Sequence, residues 1–229
     1  MTMPESSAQT VFVVDDDPSV VKALARLLRQ AGWNVETYES AESFLARPDP
    51  RRPGCLVLDV ALPGLDGLEL QRRQSQSGQA LPIVFLTGRG DIPMSVRAVK
   101  AGAVDFLTKP VQSEALFRAV RAALEQDAAA RAARSATSEL HHRFETLTPR
   151  EREVLAAVAA GRLNKQIADD LGIVEQTVKF HRARIMERMQ AKTVAELMHL
   201  AARLGIDRGA PVRRSAGSLP GAVRRAPRP

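Results

Sequence analysis

The sequence predicts an α/β domain with a doubly wound, all-parallel sheet, joined by a helical linker to an all-α domain. Three observations carry that expectation. Five short segments rich in β-branched and aromatic residues alternate with helical patterns as far as Glu125. From Thr148 to Leu204 four helical patterns follow without a strand, with stops at Gly161, Gly172 and Gly205. Between Cys55 and Asp66 the chain reads CLVLDVALPGLD, an apolar run that stops at a carboxylate.

The first strand is TVFVV, ahead of Asp15. The helix after it spans Ser19 to Ala31, where Val20, Ala23, Leu24, Leu27 and Leu28 recur at i, i+3, i+4 spacing. NVETY after Gly32 is the second strand and the Cys55 run is the third. The turn at Pro63 and Gly64 rules out a helical continuation, which places Asp59 at the carboxyl end of its strand. PIVFLT, ending at Thr87, is the fourth strand, and VDFLT, just before Lys109, is the fifth. Helical patterns at Asp66 to Gln74, Ile92 to Ala101 and Glu114 to Glu125 complete the alternation. After Glu125, DAAARAARSATSELHHRFE has strong helix formers but a weak apolar stripe, and is expected to extend the last helix as a linker. The expected boundaries are residues 1–125, a linker over 126–145, a helical domain over 146–206 and a tail over 207–229. That tail is basic, lacks aromatics and cannot bury enough surface to order itself.

An apolar content of 45% supports real cores, and the net charge of +7 resides in the back half of the chain, which suits a polyanionic partner. The single cysteine, Cys55, lies in a predicted strand, so no disulfide framework exists and a reducing compartment fits. The N-terminus has no signal-like apolar region and no stretch has the length of a membrane span. A cytoplasmic protein without membrane association is expected. The His141-His142 pair is too sparse for zinc, which wants four ligands.

On the predicted sheet the polar strand ends fall together: Asp15 and Asp16 after the first strand, Asp59 after the third, Thr87 after the fourth, Lys109 after the fifth. In the strand order 2-1-3-4-5 the first and third strands are neighbours at the topological switch point, where ligands bind. Three converging carboxylates call for a cation. A hard divalent ion takes oxygen ligands, so Mg²⁺ on Asp16, Asp59 and the Ala61 carbonyl fits. Lys109 opposite keeps Asp59 ionised as a nucleophile, and the Thr87 hydroxyl can bond an oxygen of an arriving anion. Together these groups describe a site that accepts a phosphoryl group. A lone strand-end aspartate is usually a helix cap or a solvated charge, but four partners at matching strand ends tell against that. A phosphatase with a strand-end aspartate nucleophile wants a second acid two positions on, where Ala61 stands.

The strings VVDDD, LVLDVALPGLDG, FLTG and AGAVDFLTKP resemble the receiver domain of bacterial two-component response regulators, over about Thr10 to Glu125. The resemblance implies that Asp59 is the phosphoacceptor and that Asp15 and Asp16 are the acidic pair holding Mg²⁺. It makes Thr87 the switch hydroxyl, Phe106 the switch aromatic and Lys109 the lysine before a cis bond to Pro110. Phe106 stands where many members carry tyrosine, so a switch relying on a phenolic hydroxyl is not implied.

The stretch LTPREREVLAAVAAGRLNKQIADDLGIVEQTVKFHRARIMERM opens with Thr148 as a helix cap, Pro149 in the first turn and Glu151 three residues on, a capping box. A short helix from Asn164 to Leu171, a break at Gly172 and a helix from Glu175 to Met189 make a helix-turn-helix. The second of these has an apolar side of Val178, Ile185 and Met189, and an expected outer side of Gln176, Lys179, Arg182, Ala183 and Arg184. A charge run on a helix is by default a solvated face; the helix-turn-helix spacing and the basic local balance point instead to DNA. LTPRE, NKQIA, TVKFHR and KTVAEL are similar to the DNA-binding domain of the LuxR and FixJ type, over about Thr146 to Ile206. That likeness implies that Lys179 and Phe180 face bases, with Asn164, Lys165, Thr177, Arg184 and Lys192 near phosphates. Val174 stands where the family usually has a capping serine.

Together the two likenesses imply a response regulator of the FixJ/NarL type. It is expected to be a transcription factor rather than an enzyme, with intrinsic autodephosphorylation left open. The expected partners are a sensor histidine kinase, operator DNA, a second copy on phosphorylation and RNA polymerase. The rival from another class is an architectural protein that coats DNA whatever its phosphorylation.

Overall fold

The computed structural model describes residues 9–76, 80–88 and 102–206. Strands β1 (Thr10–Val14), β2 (Asn34–Tyr38), β3 (Gly54–Asp59), β4 (Ile83–Thr87) and β5 (Asp105–Thr108) alternate with helices α1 (Pro18–Gln30), α2 (Ala41–Leu45) and α3 (Gly67–Gln76). Helix α4 (Ser113–Glu145) follows β5. All pairings are parallel and the order is β2-β1-β3-β4-β5, the predicted doubly wound sheet. Val14 lies opposite Leu58, so the residues after β1 and at the end of β3 emerge on one edge.

Strand pleating divides the apolar runs between two cores. Val11, Val13, Cys55, Val57, Val84 and Leu86 pack with α1 through Leu24 and Leu28, and with α4 through Leu116 and Val120. Phe12, Val14, Leu56, Leu58, Ile83 and Phe85 pack on the other face with Phe44 and Leu70. Both faces of β1, β3 and β4 are covered, which is why these three strands read as unbroken apolar runs. Helix α2 escapes prediction because its single turn is too short to show a helical period; a capping box between Ser40 and Ser43 starts it, and Ala41 and Phe44 are its buried residues. The helix predicted over Ile92 to Ala101 and the tail from Asp207 lie outside the described residues.

The chain divides into two compact units, Met1–Ala133 and Arg134–Pro229. The predicted linker is helical throughout, as the later part of α4. Contacts within the first unit run on past Glu125. Buried Asp127 accepts hydrogen bonds from the Gly54 N–H at 2.9 Å and from Arg131 Nε at 2.7 Å. The same guanidinium donates to the carbonyls of Arg51 and Arg52, at 2.7 and 2.9 Å. These anchors are polar, so no apolar stripe announces them.

In the second unit, Leu140 and Phe144 at the end of α4 join a core formed by α5 (Pro149–Ala159), α6 (Asn164–Leu171), α7 (Glu175–Arg188) and α8 (Val194–Arg203). Thr148 and Glu151 make the predicted capping box. Gly172 ends α6 in the left-handed region at φ 64°, where a side chain would be strained, and so permits the tight turn into α7. Among the described residues no helix is long and apolar enough to cross a membrane.

Candidate functional site

Asp59 closes β3, and the chain must turn away at once to leave its carboxylate at the sheet edge. Gly67 makes this possible. A Cβ there would lie 2.5 Å from the Asp59 carbonyl oxygen, so only glycine lets α3 begin this close to the strand end.

Lys109 is brought to the same edge by its backbone N–H, which donates to the Thr87 carbonyl at 2.6 Å, and it precedes a cis bond to Pro110. Its Nζ donates to Asp15 Oδ2 at 2.5 Å and to Asp59 Oδ2 at 3.0 Å. Asp15 is wholly buried, Asp59 nearly so, and Asp16 exposed. Burial pushes the Asp15 carboxyl above the usual carboxylate range, against the pull of Lys109 and of the Asp17 N–H. Burial also disfavours charge on Lys109, but Asp15 and Asp59 outweigh it and hold the ammonium above its ordinary value. One carboxylate oxygen from each of Asp15, Asp16 and Asp59 lies within 4.8 Å of the others, a donor set that fits a hard divalent cation.

Ala61 and Thr87 adjoin this cluster, and Phe106 stands within β5 against the apolar core. Ala61 is exposed and its N–H donates to Asp59 Oδ1 at 3.4 Å. Thr87 is buried at the end of β4, and the half-buried Phe106 ring lies 6.1 Å from that of Phe85. Asp17 is a residue that sequence reading passes over. It caps α1, accepting from the Ser19 N–H at 2.8 Å and the Ser19 hydroxyl at 2.6 Å, a role that the Asp-Pro-Ser spacing before a helical pattern could have revealed.

In the second unit α7 exposes Gln176, Lys179, Phe180 and Arg184, while Thr177 is half-buried in its first turn. Phe180 is 56% exposed, a large apolar side chain carried on an otherwise polar face, with the Arg184 guanidinium 5.1 Å from its ring centre. Lys179 lies 3.3 Å from Glu175, an exposed helical pair that releases its lysine cheaply. Lys165 and Lys192 are exposed. Arg182 departs from the outer side expected for it. Four residues after Val178 and three before Ile185, it flanks the buried stripe, is half-buried, and donates to Asn164 Oδ1 at 2.6 Å. Val174 caps α7 without any side-chain hydrogen bond.

Two further arginines secure the turn between α4 and α5. Arg188 donates to the Thr146 carbonyl and lies 3.3 Å from Glu151, and Arg152 donates to the carbonyls of Leu147 and Glu145. Burial opposes ionisation of Glu151, but the Thr148 N–H and hydroxyl and then Arg188 hold its carboxyl below the usual range.

A parallel sheet that gathers carboxylates and a lysine at its switch point, in one chain with a helix-turn-helix, defines a regulator with an acidic receiving site and a DNA-binding module. Residues 11–121 match the family described as response regulator receiver domain, and residues 145–201 match bacterial regulatory proteins, luxR family. The chain belongs to the two-component response regulators that couple a receiver to a LuxR-type DNA-binding domain. It is similar to nodulation protein W of Bradyrhizobium diazoefficiens, at 46% identity over 201 residues and 88% of each chain. To the transcriptional regulatory protein FixJ of Rhizobium meliloti it is 43% identical over 192 residues, 84% of this chain and 94% of that one. The low-resolution structure of the response regulator StyR resembles it with a TM-score of 0.78 and 47% identity, over 86% of this chain and 99% of that chain.

Proposed function

We propose that Asp59 receives the phosphoryl group and that Mg²⁺ is held by Asp15, Asp16, Asp59 and the Ala61 carbonyl. The observation that carries this reading is the Lys109 ammonium shared between Asp15 and Asp59 at the carboxyl edge of the sheet. When bound, the metal neutralises charge on the phosphoryl oxygens. An Asp59 carboxylate oxygen attacks the phosphorus of a phosphohistidine on the sensor kinase. The P–N bond breaks, its electron pair stays with the imidazole, and Asp59 becomes an acyl phosphate. Lys109 then donates to a phosphoryl oxygen, the Thr87 hydroxyl to another, and Phe106 turns inward behind it. Attack of water on the acyl phosphate, releasing inorganic phosphate, is the autodephosphorylation that resets the site.

The second unit supplies the output. Gln176, Lys179 and Phe180 face base edges, while Asn164, Lys165, Thr177, Arg184 and Lys192 lie at phosphates. Residues 1–125 serve as receiver, 126–145 as linker, 146–206 as the DNA-binding domain, and the basic residues of 207–229 add nonspecific phosphate contacts. Phosphorylation favours a homodimer that sets two copies of α7 on an operator in the cytoplasm, where RNA polymerase is the further partner.

Incubation with acetyl phosphate and Mg²⁺ should give one base-labile phosphoryl group per chain and raise affinity for duplex DNA. Asp59→Asn should take up none. Base-labile label persisting in that variant overturns the assignment, and DNA binding indifferent to the label favours the architectural rival.

A further inference from the structure

We propose that Arg182 is a positioning residue: it fixes the side-chain amide of Asn164 so that the NH₂ group, and not the oxygen, is offered to a DNA phosphate. This deepens the DNA-binding reading above and rests on it.

Asn164 opens α6 and Arg182 stands in the middle of α7, so one hydrogen bond joins the two halves of the helix-turn-helix across 18 residues of sequence. The chemistry of the pair dictates its sense. A guanidinium has five N–H donors and no acceptor, so an amide that meets it must present oxygen. The amide is planar, and with its oxygen committed its two N–H donors point away from Arg182. Those donors are what a phosphate oxygen requires; an amide oxygen turned toward phosphate would repel it. Without Arg182 the terminal torsion of asparagine has two comparable orientations, one of which puts the wrong atom forward. The 2.6 Å bond is charge-assisted, which strengthens the choice.

The position of Arg182 argues against its being the contact itself. Lys179 and Arg184 are exposed on the outer side of α7, whereas Arg182 is half-buried beside the stripe of Val178 and Ile185. Its role is that of a group acting through another.

The test uses the full chain and a fluorescent mixed-sequence duplex, so that no operator is needed. Asn164→Ala and Arg182→Ala should each weaken binding by about tenfold, and the double variant should lose no more than about twofold beyond either. A double variant weakened by the product of the two losses, about a hundredfold, would show that Arg182 touches DNA itself and would overturn the proposal. Arg182→Lys should restore most of the affinity, because an ammonium also donates to Oδ1. Asn164→Asp separates positioning from folding: it still offers Arg182 an oxygen, so the unfolding midpoint should hold, but it has no N–H to give and should bind at least as weakly as Asn164→Ala. Binding by Asn164→Asp equal to that of the unmodified chain would mean that the bond merely ties the helices together. Failure of the unmodified chain to bind duplex would instead strike at the DNA-binding reading.

Discussion

Lys109 of the receiver and Lys179 of the DNA-binding unit carry the same charge in opposite settings. The Lys109 side chain is 21% exposed and donates to two carboxylates, one of them fully buried. The Lys179 side chain is 55% exposed beside a single exposed glutamate. An enclosed charge in a poorly screened site is already aimed, and it acts on whatever group enters between it and the carboxylates. An exposed charge is available to a large polyanion, and its contribution comes through release of counterions. The first suits a small phosphoryl group and the second a long duplex.

Salt should separate the two regions most widely. Between about 50 and about 200 mM salt, affinity for duplex DNA should fall by about 10³-fold, as several phosphate contacts require. Uptake of phosphate at Asp59 from acetyl phosphate should change by less than about twofold over the same range, since enclosed charges are weakly screened. Anisotropy titrations and labelling rates on one preparation check both. Equal salt sensitivity would show that enclosure does not govern the receiver site.

Removing the enclosed charge should come next in size. Lys109→Met removes the ammonium that Asp15 and Asp59 share and deprives the arriving phosphoryl group of a donor. The labelling rate should fall by about 100-fold, while DNA binding by the unphosphorylated chain stays within about twofold. Single-turnover labelling measures the first and anisotropy the second. A rate reduced by less than about threefold would mean that Lys109 serves packing and not transfer.

Arg131 sharpens the comparison at a third kind of site, where burial serves only stability. Arg131→Ala leaves the buried Asp127 without its cation, with Oδ1 already lacking a hydrogen-bond partner among the described residues. The first unit should lose about 2 kcal/mol, less than a fully buried pair would cost because the Arg131 side chain is 32% exposed. Arg131→Lys should recover part of this, since an ammonium cannot span the carbonyls of Arg51 and Arg52 as a planar fork does. The chain has one tryptophan, Trp33, in the first unit, so its fluorescence during denaturation reports that unit.

What sequence could foretell follows from what each feature depends on. Parallel strands buried on both faces leave unbroken apolar runs, which made β1, β3 and β4 legible; the edge strands β2 and β5, only partly buried, were legible from their β-branched and aromatic residues, and with all five came the edge that gathers Asp15, Asp59 and Lys109. The anchoring of α4 by Asp127 and Arg131 was not legible, because an aspartate and an arginine four apart read as a solvated helical pair until Gly54 and the 51–52 carbonyls arrive from elsewhere in the chain. Arg182 was half legible. Its spacing from Val178 and Ile185 already set it beside the buried stripe, and only its charge suggested the outer side.

The smallest expected effect concerns the two helix starts of the DNA-binding unit. Thr148 satisfies the first turn of α5 with its hydroxyl, and Glu151 answers with its carboxylate. Val174 at the start of α7 does nothing equivalent, and it is 68% exposed. Its extended backbone, φ −81° and ψ 151°, is already that of a capping residue, so a serine there needs no rearrangement to reach the first-turn N–H groups. Val174→Ser should therefore stabilise the second unit by about 1 kcal/mol, combining the gained bond with removal of an exposed apolar side chain. Urea denaturation followed by far-ultraviolet circular dichroism, read beside the Trp33 fluorescence that reports the first unit, measures it. An unchanged midpoint would mean that water already serves those N–H groups as well as a hydroxyl would, and that the open end of α7 costs the free protein nothing.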